Sequence, residues 1–186
     1  MKRLLDTAVS ELTRLLPSLA ALEPQMSQLA EAIMDAWSRR GKVMTCGNGG
    51  SASDAMHLAE ELIARFQKNR RALAAIALCD PTAITCAAND FGFEQIFSRQ
   101  VEGLANAGDV LIVFTTSGNS PNVLRALEAA KKQGVRTAGF LGRDGGKAAA
   151  MCDIPIIVPA QTSARIQEGH KVLYHVLCAW VDQRVD

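Results

Sequence analysis

The chain has 186 residues, 48% of them hydrophobic and 21% charged, which suits one domain with a full core and excludes a disordered polypeptide. Twenty Lys and Arg against nineteen Asp and Glu leave a formal charge of +1, which argues against nucleic-acid binding driven by bulk charge. No uncharged apolar run approaches the ~20 residues of a membrane span, and Asp6, Glu11 and Arg14 interrupt any signal-peptide core.

In chain order, residues 1–16 and 24–40 read as helices. In the second, Met26, Leu29, Ala30, Ile33, Met34 and Trp37 recur at helical spacing, and Gly41 marks the stop. Pro17 and Pro24 punctuate the junction. An apolar run at 42–46 then predicts a strand, and 51–66 a helix. A strand over 72–79 leads to a short helix near 81–88, a loop at Asn89-Asp90-Phe91-Gly92 and a helix over 93–106. Strand 109–114 precedes helix 121–133, strand 135–141 a short helix, and strand 153–158 a last helix over 163–183. Short continuous apolar strands between helices predict a parallel sheet covered on both faces. The expected architecture is therefore α/β: a helical prefix over 1–40 and an α/β core over 41–186, together one domain. Ligands of such sheets bind at the carboxyl ends of the strands, so the loops after the first, third and last strands carry the functional expectation.

The first of these loops is Cys46-Gly-Asn48-Gly49-Gly50-Ser51. Glycines let a backbone approach a ligand closely, and the helix N-terminus that follows attracts anions. Four residues apart on that helix, His57 and Glu61 lie only ~40° from one another around the axis. Two nucleotide motifs fail here. A P-loop needs Gly-Lys-Ser/Thr, but Gly49-Gly50 is followed by Ser51-Ala52. The dinucleotide fingerprint wants an acidic residue closing the second strand, and the first candidate is Asp80, beyond it. The second loop offers four hydroxyls, Thr115, Thr116, Ser117 and Ser120, at a strand-to-helix turn, a composition suited to a sugar phosphate without any arginine. A simple helix cap at Ser120 or Asn119 explains one such residue, not four. The five cysteines at 46, 79, 86, 152 and 178 are odd in number and form no Cys-x-x-Cys pair, the usage of reduced thiols in a cytoplasmic protein.

Together the two loops resemble the sugar isomerase (SIS) family. Within it, residues 42–66, Asn89 to Arg99, the Thr-Thr-Ser-Gly-Asn-Ser loop and Arg165-Ile166-Gln167-Glu168 look like the phosphoheptose isomerases, over nearly the whole chain. The resemblance implies a three-layer αβα sandwich of flavodoxin-like type with an N-terminal helical extension. It implies an aldose–ketose isomerase of D-sedoheptulose 7-phosphate on the route to ADP-heptose, with Glu61 as base and His175 as its acid–base partner. It implies substrate contacts at Asn48, Gly49, Gly50, Ser51, His57, Glu61, Asn89, Asp90, Thr115, Thr116, Ser117, Ser120, Gln167 and His175. In some members it implies one zinc ion per subunit, held by His57, Glu61, Gln167 and His175, and it implies a homotetramer with sites near subunit interfaces.

Helix arithmetic places Gln167 and His175 ~80° apart and two turns along, but His170 and His175 ~140° apart, so His170 reads as structural or supporting. Glu60 points ~100° away from Glu61. One departure stands out: phosphoheptose isomerases usually carry an acidic residue just before Arg-Ile-Gln-Glu, where this chain has Ala164. Gln161-Thr162-Ser163 is also similar to a non-catalytic SIS branch that binds the replication initiator. That branch tends to lack the glutamate equivalent to Glu61, and retention of Glu61, His57, Gln167 and His175 favours the enzyme.

Overall fold

The apolar runs form strands β1 (Val43–Gly47), β2 (Ala75–Ala77), β3 (Val110–Thr115), β4 (Arg136–Gly142) and β5 (Ile154–Val158). The computed structural model describes residues 1–186. All five strands pair in parallel, in the order β2-β1-β3-β4-β5. The order reverses between β1 and β3, and the crevice outside that reversal is where an open α/β sheet takes its ligand. Both glycine- and hydroxyl-rich loops emerge there.

Side chains alternate across the sheet with period two. On one face Val43, Val110, Ile112, Phe114 and Phe140 meet helices α1 (Lys2–Leu19), α2 (Glu23–Ser38), α3 (Gly50–Ile63) and α8 (Ser163–Asp182). On the other, Met44, Cys46, Leu111 and Val113 meet α4 (Pro81–Phe91), α5 (Ser98–Leu104), α6 (Pro121–Lys132) and α7 (Gly146–Met151). This is the expected three-layer αβα arrangement. Phe114 and Phe140 sit opposite in register and stack with ring centroids 4.8 Å apart. Each such buried aromatic contributes ~1.5–3 kcal/mol by area alone.

Local signals set most element ends. Asp80 caps α4, its carboxylate accepting from Ala83 N at 2.8 Å, with Pro81 in the first turn. The structure corrects four expectations. Of the run 72–79 only Ala75–Ala77 is strand; at its start Leu73 N donates to Leu62 O at the end of α3 instead of to the sheet. Asn89, Asp90 and Phe91 belong to the last turn of α4, which ends at Gly92 with φ 92°; the loop begins after them. Residues 93–106 split into a 3-10 turn at Phe93–Gln95 and the short α5. Helix α1 continues past Pro17 to Leu19, and a 3-10 turn over Ala20–Leu22 joins it to α2. The sheet's edges are β2, three residues long, and β5, which carries Pro155. No helix is long and apolar enough to cross a membrane, and all five cysteines are free.

Candidate active site

The turn after β1 depends on two glycines. Gly49 has φ 57°, the left-handed region, and a Cβ there would meet nothing within 4 Å, so open space lies above the backbone. Gly50 opens α3, where a Cβ would lie 2.5 Å from the side-chain nitrogen of Gln167. Glycine thus lets Gln167 of α8 reach the start of α3. Asn48 exchanges two amide hydrogen bonds of 2.8 Å with Asn122, a residue 1% exposed at the start of α6. This pair ties the β1 loop to the β3 loop.

The β3 loop is folded by its own hydroxyls. Thr115 Oγ1 accepts from Gly118 N at 3.2 Å and stands 3.5 Å from Ser120 Oγ. Ser120 occupies the cap position of α6 yet makes no side-chain cap bond, so its hydroxyl is left for a ligand. Asn119 is spent otherwise, donating to Ser117 O at 2.8 Å and accepting from Lys147 N at 3.1 Å. Across the crevice Ser163 Oγ lies 3.1 Å from Thr116 Oγ1. Asn48, Ser51, Thr115, Thr116, Ser117, Ser120, Ser163 and Gln167 surround a cavity of about 210 Å³ with no charged lining. An anion there is met by hydroxyls, amides and the N-termini of α3 and α6.

A second cluster lies along the seam where α3 and α8 run side by side. His57 and Glu61 of α3 and His175 of α8 offer ligand atoms that all lie within 4.8 Å of one another. His57 Nε2 is 3.2 Å from Glu61 Oε1 and 3.9 Å from Glu60 Oε1. The rings of His57 and His175 approach edge-on at 5.1 Å, and Phe66 backs His175 at 5.5 Å. His175 Nε2 is buried without a hydrogen-bond partner. Burial holds the His175 imidazole below its ordinary pKa, helped by His57 and Lys171 and opposed by Glu61. At ~1.5 Å per residue, His57 lies ~9 Å and Glu61 ~15 Å along α3 from Ser51.

Two buried carboxylates brace the seam. Asp54 lies one turn before His57; the Tyr174 hydroxyl stands 3.4 Å from its Oδ1. Burial raises the Asp54 pKa, while Lys171 opposes it. Asp182 accepts from Gln67 N, Lys68 N and the fully buried Arg70, whose Nε is 2.8 Å from Oδ1. Arg70 in turn donates to the carbonyls of Glu61 (2.7 Å) and Leu62 (2.9 Å), closing the C-terminal end of α3 beside Glu61.

Three expected positions lie apart from this cluster. Asn89 and Asp90 are exposed at the end of α4, bonded to each other at 2.7 Å, and line no part of the cavity. Gln167 lines the hydroxyl cavity, and no hydrogen bond joins it to His57, Glu61 or His175. His170 is fully buried, its Nε2 2.9 Å from Leu141 O, and burial drives its pKa down to about 4.

A family model described as SIS domain matches residues 9–142. A phosphoheptose isomerase from Nitratiruptor sp. is 54% identical over 151 residues, 81% of each chain. One from Paramagnetospirillum magneticum is 51% identical over 164 residues, 88% of this chain and 85% of the relative. The solved phosphoheptose isomerase from Neisseria gonorrhoeae superposes with a TM-score of 0.93 at 40% identity, covering 98% of both chains. The chain belongs to the phosphoheptose isomerase family of SIS-domain proteins. As a phosphoheptose isomerase family member it is an isomerase with a sugar-phosphate substrate. Its seam also contains residues that motif reading passes over. Asp54 shares the helical face of His57 and Glu61 at i−3 and i−7, and Lys171 and Tyr174 follow Gln167 at i+4 and i+7. That spacing was the available signal. Asn122, Phe66 and the Arg70–Asp182 pair carried none.

Proposed function

We propose that this protein converts D-sedoheptulose 7-phosphate to D-glycero-D-manno-heptose 7-phosphate, supplying ADP-heptose biosynthesis. The observation that carries this reading is the convergence of Glu61 with two imidazoles, His57 and His175, on a seam that starts at an uncharged hydroxyl cavity. A ketoheptose 7-phosphate has its carbonyl and its phosphate at opposite ends of one chain, and the protein separates its acid–base groups from its anion site in the same sense.

Phosphate sits among Thr115, Thr116, Ser117, Ser120 and Ser51, with Gly49 and Gly50 admitting the backbone close to it. Asn48 and Gln167 face the same cavity and direct hydroxyls of the sugar. Glu61 has one oxygen toward His57 and the second free; that carboxylate removes the proton from C1 and returns it at C2. His175, whose neutral form burial favours by lowering its pKa, passes the proton from the C1 hydroxyl to the C2 oxygen, so the carbonyl moves without net gain or loss of protons.

The three seam residues fit a divalent cation. Two imidazole nitrogens and a carboxylate are a zinc-type donor set, and the orphaned His175 Nε2 gains a partner. Such a zinc ion, one per subunit, would polarise the carbonyl and stabilise the enediolate. Gln167, the expected fourth ligand, faces the hydroxyl cavity instead, so in this reading the seam supplies three protein ligands.

The homotetramer belongs to the same reading. Val172 and Val176 of α8 border an apolar groove of about 390 Å³ with Leu16, Leu19, Met26 and Trp180, and Leu4, Leu5 and Val9 are exposed along α1. Packing of subunits there covers that surface and lets exposed Asn89 and Asp90 meet a neighbour's site. Residues 1–186 act as one domain, in the cytoplasm, where five unpaired thiols persist.

NMR-monitored turnover of sedoheptulose 7-phosphate by the purified protein tests the function, with light scattering for the tetramer and elemental analysis for zinc. Formation of the aldose is the expected result. No turnover, with or without added zinc, overturns it.

A further inference from the structure

Tyr174 is fully buried beside His175, and its hydroxyl touches three polar groups at once. Lys171 Nζ is 2.7 Å away, His57 Nδ1 3.2 Å and Asp54 Oδ1 3.4 Å. A phenol has one proton to give and two lone pairs to receive. Lys171 is only a donor, so it takes one lone pair. Asp54, paired with Lys171 at 3.7 Å, is an acceptor and takes the proton. With the proton engaged by Asp54, a lone pair faces His57, and the ring donates to it through Nδ1. The ammonium of Lys171 also stands 3.3 Å from Nδ1 and keeps a third proton beyond those directed at Tyr174 and Asp54, but the Tyr174 oxygen is the nearer group, at 3.2 Å.

We infer that Tyr174 is a positioning residue that fixes His57 as its Nδ1–H tautomer and thereby turns the Nε2 lone pair toward Glu61 and His175. The inference deepens the reading of that trio as a cation site. With Nδ1 protonated, neutral His57 presents a lone pair to a carboxylate oxygen 3.2 Å away and toward the unpartnered His175 Nε2. Three electron-pair donors facing one another are satisfied together only by a cation or a shared proton. Imidazole ligands commonly donate their other N–H to an oxygen that orients them, and loss of that oxygen weakens metal binding ~10–100-fold. Here the oxygen is a phenol, itself oriented by a buried carboxylate and a lysine.

The test has two independent readouts. Long-range ¹H–¹⁵N NMR of metal-free protein above the ordinary histidine titration range reports the neutral tautomer of His57. The expected spectrum has the pyridine-type nitrogen at Nε2; an Nε2–H tautomer overturns the inference and needs no variant. Zinc affinity, read by chelator competition, is expected to fall ~10–100-fold in Tyr174→Phe, with the melting temperature measured alongside. Unchanged affinity in folded Tyr174→Phe also overturns it. A wild-type protein that binds no zinc yet shows the Nδ1–H tautomer refutes the cation site and leaves the positioning role of Tyr174 standing.

Discussion

The hydroxyl cavity and the α3–α8 seam differ in what they are made of. The cavity holds no charged side chain and recruits hydroxyls, amides and helix N-termini from loops at the strand ends. The seam holds imidazoles and carboxylates, fixed on helices and braced by the buried Asp54, Tyr174, Arg70 and Asp182. A phosphate dianion must be held and released each turnover, which favours dipoles over fixed opposite charge. Proton transfer needs groups whose spacing does not drift, which favours rigid helices over loops. The division also separates affinity from rate, and that separation can be broken experimentally.

The largest effect belongs to the seam. Glu61→Gln keeps shape and removes the base, so kcat is expected to fall ~10²–10⁴-fold with KM little changed. Steady-state kinetics on folded protein decides it, and near-normal kcat would remove Glu61 from the mechanism. Next comes the brace. Arg70→Met leaves Asp182 buried without its cation, and chemical denaturation at fixed protein concentration should show a loss of ~3–5 kcal/mol. An unchanged midpoint would mean that Gln67 N and Lys68 N suffice for Asp182.

His170 gives a pH signature distinct from both. Its folded pKa of about 4 lies below the ordinary 6.5, so the unfolded chain binds the extra proton more readily. Its stabilising contribution is complete above pH 6.5 and is lost as pH falls through 4, on the order of 3 kcal/mol in all. Melting curves of wild type and His170→Gln should therefore converge on acidification across that window; parallel curves would contradict the burial argument. The cavity gives the smallest change. Ser120→Ala removes one hydrogen bond to a charged group, ~1.5–3 kcal/mol, expected as a ~10–100-fold rise in KM with kcat nearly intact. A fall in kcat alone would blur the contrast between the two regions.

The cavity was the more legible region because one contiguous loop, Thr115 to Ser120, brings most of its hydroxyls. Sheet, helices and the αβα layering were legible too, since apolar runs and helical periods are local. The seam was half legible: His57 and Glu61 announce themselves at i,i+4, but Tyr174 beside His175 reads as any apolar helix residue until α8 is laid against α3. Asn89 and Asp90 misled by type. Both favour turns, yet the capped α4 carries them into its last turn before Gly92 stops it. The run 72–79 misled by composition, because its apolar start is drawn to the end of α3, where the Leu62 carbonyl takes the Leu73 N–H.

The three-residue β2 and the proline in β5 have a consequence for how copies of this chain can meet. An open sheet edge is a template for indiscriminate strand pairing and aggregation. Here one border is too short to template anything, and the other has a gap where Pro155 supplies no donor. Apart from Ile76 on the short β2, sticky apolar surface lies mostly on helices, whose contacts are selective in shape and angle. A chain so arranged can be crowded at high concentration and still associate by its helical faces rather than zip into fibres.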